Sequence, residues 1–224
     1  MIKKIGIIAI MLSISFAANA QKFGFITQFG WAFGIHDVAK GTDGKLETGF
    51  ASRFGLLGNF ELDSWGTWRI IPKISYSEEA YSLERNFQEE TTIYDVWIQG
   101  WEQATNVRYI LPNEMLAIEA GYYVNYIFKS PMIVPDQDWG ENSNLGDDTF
   151  WSTETKFNQY EFGINLAFGI NDVMIMLPSL ESIGIKNMDI MYTTSIGFTN
   201  YAKDYDFKRF QMGVMISIYF GDGN

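Results

Sequence analysis

From Phe23 onward the chain alternates. Phe23, Phe25, Phe29, Trp31, Phe33 and Ile35 fall on one face, and Gly24, Ile26, Gln28, Gly30, Ala32 and Gly34 on the other. A period of two marks a strand, not a helix. One face is bulky and aromatic; the opposite face is small or carries an amide. A strand of a soluble protein turns its bulk to a core and its charge to water. Small and polar residues opposite aromatic bulk instead fit a tight barrel with a polar interior and an apolar outside.

The pattern recurs. The second segment sets Phe50, Phe54, Leu56, Phe60 and Leu62 against Ala51, Arg53, Gly55, Leu57, Asn59 and Glu61. The third runs from Trp68 to Tyr76 with Arg69, Ile71, Lys73 and Ser75 on its second face. The fourth, Ile93 to Leu111, alternates least cleanly: Gln99 and Gln103 share the parity of Val107 and Tyr109, which predicts a bulge. The fifth (Leu116 to Phe128), sixth (Tyr160 to Phe168), seventh (Ile190 to Phe198) and eighth (Phe210 to Phe220) alternate clearly. Each segment is long enough for a tilted strand to cross a bilayer. The connections 36–46, 77–92 and 129–156 are long and polar, whereas 63–67 and 112–114 are tight turns. Long loops on one side and short turns on the other are the outer-membrane arrangement, with both termini on the short-turn side. The predicted fold is therefore all-β: an eight-stranded antiparallel up-and-down transmembrane β-barrel. The partly apolar connection 171–187 departs from the short-turn rule. It either extends the sixth and seventh strands or forms a short helix that plugs or caps the rim, and it is the expected place for a periplasmic contact.

The first twenty residues, MIKKIGIIAIMLSISFAANA, read as a cleaved signal peptide. Lys3 and Lys4 precede a short apolar run, and Ala18-Asn19-Ala20 is a cleavage signal. The division is then residues 1–20 as signal and 21–224 as barrel. Composition narrows the function classes. The chain has 224 residues, 17% aromatic and 19% charged, with no Cys and one His. Disulfides, thiolate metal sites and His-rich metal sites are excluded. A formal net charge of −11 disfavours nucleic acid as a partner.

The signal peptide, the eight alternating segments, the Gly-rich inner face and the aromatic-ended last strand FQMGVMISIYF resemble the porin-family, PorT-like small outer-membrane β-barrels. The resemblance covers nearly the whole chain after the signal peptide and rests on pattern, not on an invariant motif. It implies a Gram-negative outer membrane with its lipid and lipopolysaccharide as surroundings, and insertion by the barrel-assembly machinery. It implies no single biochemical activity. After Phe220 the chain continues as Gly-Asp-Gly-Asn, where members usually end on the aromatic residue.

Candidate chemistry comes last because it changes the picture least. Arg53, Glu61, Arg69, Lys73, Arg108, Glu119 and Glu161 share inward parity, which predicts a lumen charge network. An eight-stranded interior is just wide enough for side chains to fill, and buried charges must pair. That network closes the lumen or, in a second reading, gates a narrow channel. In the third long loop Asp136, Asp138 and Asn142 space oxygens as hard Ca²⁺ prefers, without EF-hand spacing. A solvated, charge-repelling loop explains them as well. His36, beside Asp37, would be the base of a lipid-modifying hydrolase, but no motif fixes a serine or carboxylate beside it. No catalytic, cofactor or resident metal site is therefore expected. The expectation is a non-enzymatic barrel acting through surface loops or a periplasmic partner, in envelope integrity, adhesion or a secretion complex. A soluble periplasmic barrel holding a small ligand is the remaining alternative, and it needs the two faces inverted.

Overall fold

The computed structural model describes residues 22–35, 44–87, 90–112, 114–129, 132–133, 159–175, 182, 184–199 and 208–220. They form one closed antiparallel barrel of eight strands: β1 (Lys22–Ile35), β2 (Gly44–Glu61), β3 (Trp68–Phe87), β4 (Glu90–Ile110), β5 (Leu116–Lys129), β7 (Tyr160–Ile170), β8 (Asn187–Gly197) and β9 (Lys208–Phe220). A two-residue strand, β6 (Met132–Ile133), adds to the far end of β4 beside Asp95 and Val96. Each long strand pairs with its neighbour in sequence, and β1 also pairs with β9 from Phe23↔Phe220 to Ile35↔Lys208. That last ladder closes the ring of the eight long strands.

Glycine on the inner face makes the closure close. Gly30 on β1 faces Gly213 on β9, and a Cβ on either would collide with the backbone of the other strand. The aromatic residues of β1 sit on the opposite side of the same ribbon: Phe23, Phe29 and Trp31 are more than half exposed, whereas Ile26, Gln28 and Ala32 are buried. The same alternation runs round the barrel. Phe54, Tyr122, Phe168 and Val214 lie outside, and Arg53, Tyr123, Ala167 and Met215 inside. A small apolar layer that includes Leu57, Ile110, Ala117 and Met191 packs inside.

One rim carries the short turns, which we call the turn end; the other is the loop end. The β2–β3 turn closes with Gly66 N–H donating to the Asp63 carbonyl at 3.1 Å, and the Asp63 carboxylate accepts the Trp68 N–H at 3.1 Å. Gly66 is left-handed (φ 66°), the conformation that suits glycine in such a turn. In the β4–β5 turn the Glu114 N–H donates to the Leu111 carbonyl at 2.8 Å, with Pro112 in the second position, which its fixed φ favours.

Two features differ from the sequence pattern. Residues 77–87 and 90–92 are strand, not loop: β3 and β4 pair without interruption from Trp68↔Tyr109 to Phe87↔Glu90. Adjacent charged residues there, Glu78 with Glu79 and Glu84 with Arg85, interrupt the apolar alternation and make strand read as loop. The register shift in the fourth segment lies between Gln99 and Gly100, but the extra residue belongs to β5, where Lys129 and Ile127 face them. Gln99 and Gln103 stay on the outer side, and the Gln99 amide donates to Glu78 at 3.1 Å. The 171–187 connection, open in the sequence between strand extension and a short helix, begins with a short helical turn. Asn171 and Asp172 turn out of the strand and a single 3₁₀ turn, Val173–Ile175, follows, with Val173 and Met174 buried. Residues 176–181 and 183 of that connection lie outside the described residues, as do the signal segment 1–20 and most of the third long loop.

Candidate functional site in the barrel lumen

Each inward position of a narrow barrel is shared among all strands, so its side chains meet across the axis. Two charged clusters result. The turn-end cluster centres on Arg108 of β4, which is fully buried. Its Nε donates to Glu119 of β5 at 2.8 Å, Nη1 to Asp189 of β8 at 2.5 Å and Nη2 to the Tyr219 hydroxyl of β9 at 3.2 Å. Lys73 of β3 reaches the other Glu119 oxygen at 2.6 Å, and the Asn106 amide donates to the same oxygen at 2.9 Å. Asp189 also accepts the Asp172 backbone N–H at 3.0 Å, which ties the cluster to the turn below it.

The loop-end cluster centres on Arg209 of β9, also fully buried. It reaches three carboxylates from three strands: Glu79 of β3 at 2.5 Å, Glu102 of β4 at 3.0 Å and Glu161 of β7 at 3.0 Å. Its guanidinium lies over the Tyr123 ring, 4.4 Å from the centroid, and the Tyr123 hydroxyl donates to Glu161 at 2.8 Å. That ring needs Gly163 opposite it on β7, because a Cβ there would occupy the ring's place. Tyr81 donates to Glu79 at 2.5 Å. Arg53 of β2 pairs with Glu102 at 2.9 Å and donates to Gln28, Ser195 and Gln211. Glu102 thus joins Arg53 to Arg209, and this cluster draws on every barrel strand.

Between the clusters lies a cavity of about 20 Å³, lined by Lys73 and Asn106 on one side and by Arg53 and Glu102 on the other. It has room for little more than one water molecule. Charges so arranged fasten strand to strand across the axis and fill the lumen. Their net contribution to stability is modest, because desolvation offsets attraction, but each partner is needed once the other is buried.

Of the seven charged residues that parity assigns to the lumen, Arg53, Lys73, Arg108, Glu119 and Glu161 are buried in these clusters. Glu61 and Arg69 are not. They lie at the turn-end rim and pair with each other at 3.4 Å, partly exposed, because the ribbon there has left the barrel interior. Sequence reasoning missed Glu79, Glu102, Asp189 and Arg209. Glu79 stands in a polar stretch that reads as loop, and Glu102 in the segment of ambiguous parity. Asp189 and Arg209 each stand one residue before the clear alternation that begins at Ile190 and Phe210. Extending the alternation outward by one position would have found the last two.

Outside the barrel interior, partial burial raises the Asp172 carboxyl above its usual range, opposed by the Met174 N–H and by nearby Lys22 and Arg69. His36 and the calcium candidates Asp136, Asp138 and Asn142 lie outside the described residues. Among the described residues no group of three or more His, Asp or Glu is placed to hold a metal ion. No protein-family model and no curated protein matches the chain.

Proposed function

We propose that this chain is a non-enzymatic outer-membrane β-barrel of a Gram-negative bacterium. In this reading residues 1–20 direct export, the barrel-assembly machinery inserts residues 21–224, and lipid and lipopolysaccharide surround the wall. The work falls to the loops or to a periplasmic or surface protein partner, in envelope integrity, adhesion or a secretion complex. The observation that carries the reading is the inverted distribution of side chains. Arg108, Arg209, Glu119 and Asp189 are fully buried inside, while Phe54, Tyr122, Phe168 and Phe29 are mostly exposed outside. In water that arrangement would expose a continuous apolar band far larger than soluble monomers carry. In lipid it is the low-energy arrangement, because a closed barrel satisfies its backbone within the wall.

The aromatic residues near the rims support it. Trp68 packs on Tyr109 with ring centroids 4.7 Å apart at the turn end, and Tyr126 packs on Tyr160 at 5.4 Å towards the loop end. Rings with a polar edge favour the headgroup depth of a bilayer. A soluble ligand-binding barrel would need apolar residues inside, where this chain has ion pairs. The filled lumen favours a closed barrel over a conducting one.

The absence of cysteine makes a direct test clean. Trp65→Cys at the turn end and Leu166→Cys in the middle of β7 are each exposed to a membrane-impermeant maleimide after reconstitution into open lipid bilayers. Trp65→Cys is expected to label readily and Leu166→Cys to stay unlabelled until detergent or denaturant is added. Equal labelling of the two in bilayers would place the outer band in water and overturn the proposal.

A further inference from the structure

The buried charges of the lumen do not balance. Among the described residues the buried cations are Arg53, Lys73, Arg108 and Arg209, and the buried carboxylates are Glu79, Glu102, Glu119, Glu161 and Asp189, one more than there are cations. At the turn end the two signs match, because Lys73 and Arg108 face Glu119 and Asp189. The surplus lies at the loop end, where Arg53 and Arg209 face Glu79, Glu102 and Glu161. A buried anion without full compensation is so costly that the group takes up a proton instead.

The hydrogen bonds single out one carboxyl. Glu119 accepts Arg108 on one oxygen, and Lys73 and Asn106 on the other. Asp189 accepts Arg108 on one oxygen and the Asp172 N–H on the other. Glu79 accepts Arg209 on one and the Tyr81 hydroxyl on the other. Oε2 of Glu102 meets both Arg53 and Arg209. Glu161 differs. Its Oε1 accepts the Tyr123 hydroxyl at 2.8 Å and lies 3.0 Å from Arg209 Nε. Its Oε2 is buried and has no hydrogen-bond partner. Gly197 of β8 lies so close to the carboxyl that a Cβ on it would collide with Oε1.

We propose that the loop end of the lumen is a proton-binding site, with the proton held on Glu161 Oε2 at neutral pH. Oε1 stays the acceptor for Tyr123 and Arg209, as the carbonyl oxygen of the acid. The charged and titratable groups of the cluster around it are Arg53 of β2, Glu79 and Tyr81 of β3, Glu102 of β4, Tyr123 of β5 and Arg209 of β9. From β1 and β8 come the neutral Gln28, Ser195 and Gly197. Loss of the proton would set three full anions around Arg209 and weaken the hold of β7 on β3, β4 and β9. The site therefore makes the closure of the loop end respond to pH. It lies inside the lumen, so the inference does not rest on what surrounds the barrel wall.

The test is reversible urea unfolding of the full-length barrel in alkyl-glucoside micelles, for the wild type and for Glu161→Gln. A carboxyl that is protonated in the fold and ionised in the unfolded chain gives stability that is present at low pH and is lost as pH rises. Between about pH 6 and about pH 8 the folding equilibrium constant of the wild type is expected to fall at least about tenfold more than that of Glu161→Gln. Glutamine has the shape of the protonated acid, so Glu161→Gln should be at least as stable as the wild type at the higher pH. Infrared spectroscopy of the wild type gives a second reading that needs no variant to fold. The carbonyl band of a protonated carboxylic acid is expected at neutral pH, in a detergent with no carbonyl of its own, and it should be missing from folded Glu161→Gln. Equal pH dependence of the two proteins, a Glu161→Gln barrel less stable than the wild type at the higher pH, or no acid band in the wild type would each overturn the proposal. So would an acid band that survives the substitution, since the proton would then sit elsewhere.

Discussion

A Val214→Arg barrel is expected to lose about 2–4 kcal/mol of stability in a lipid bilayer, the cost of arginine on the lipid face near the midplane. Val214 is at the centre of β9, 46% exposed, and pairs with Phe29 on one side and Tyr192 on the other. The guanidinium would have no acidic partner on this face, because the charged residues of the neighbouring strands point inward. The measurement is the urea midpoint of reversible unfolding from vesicles. Trp65→Arg, at the exposed turn, serves as the control and should shift stability by no more than about 0–1 kcal/mol. If the outer band faced water, Val214→Arg would behave as an ordinary surface substitution, within about 0.5 kcal/mol of no effect. The two environments therefore differ by several-fold in one number.

Arg108→Met is expected to be the most damaging change inside the lumen. It removes the only guanidinium that joins Glu119 to Asp189 among the described residues, and it leaves the Asp189 carboxylate buried without its cationic partner. Breaking a buried ion pair from one side costs about 3–5 kcal/mol, because the other charge stays uncompensated. Removing that charge as well should recover part of the loss, so Arg108→Met/Asp189→Asn is expected to be more stable than Arg108→Met alone. The same urea titration reads both. The rim pair gives the contrast: Arg69→Gln should cost about 0–1 kcal/mol, since Arg69 and Glu61 are both partly solvated. A double variant no more stable than the single one would show that the cluster acts through packing and not through charge.

The barrel was legible in the sequence for a physical reason. Strands that separate two environments must alternate, and β1, β5 and β9 do so over most of their length, with Thr27 of β1 interrupting the aromatic face. The turns were legible as well: Asp63 and Gly66 have the side chains that their positions require, and Pro112 fits the second position of its turn. What misled was the assumption that polar sequence means loop. The β3–β4 hairpin carries Glu78, Glu79, Glu84 and Glu90 and is nevertheless a continuous ladder. Hydrogen bonding between strands does not depend on apolar side chains, so an acidic ribbon can extend the wall.

The lumen was legible only in outline. Parity identified Arg53, Lys73, Arg108, Glu119 and Glu161, but it could not say that Arg108 and Arg209 would each gather carboxylates from several strands. That depends on barrel diameter and stagger, which bring β4 opposite β8 and β9 opposite β3. The pattern of a single strand carries no information on either. Glu61 and Arg69 show the reverse error: parity continues past the point where the interior ends.

The placement of a charged lumen inside an apolar wall has one direct consequence for the whole molecule, which is where it resides and how it runs on a gel. Cells producing the full chain are fractionated, and the recovered protein is run in detergent with and without boiling. Recovery in the outer membrane, with a mobility that changes on boiling as the closed barrel unfolds, is the expected result. Recovery in the soluble periplasmic fraction without detergent would contradict it, and would mean that the apolar face is covered by something other than lipid.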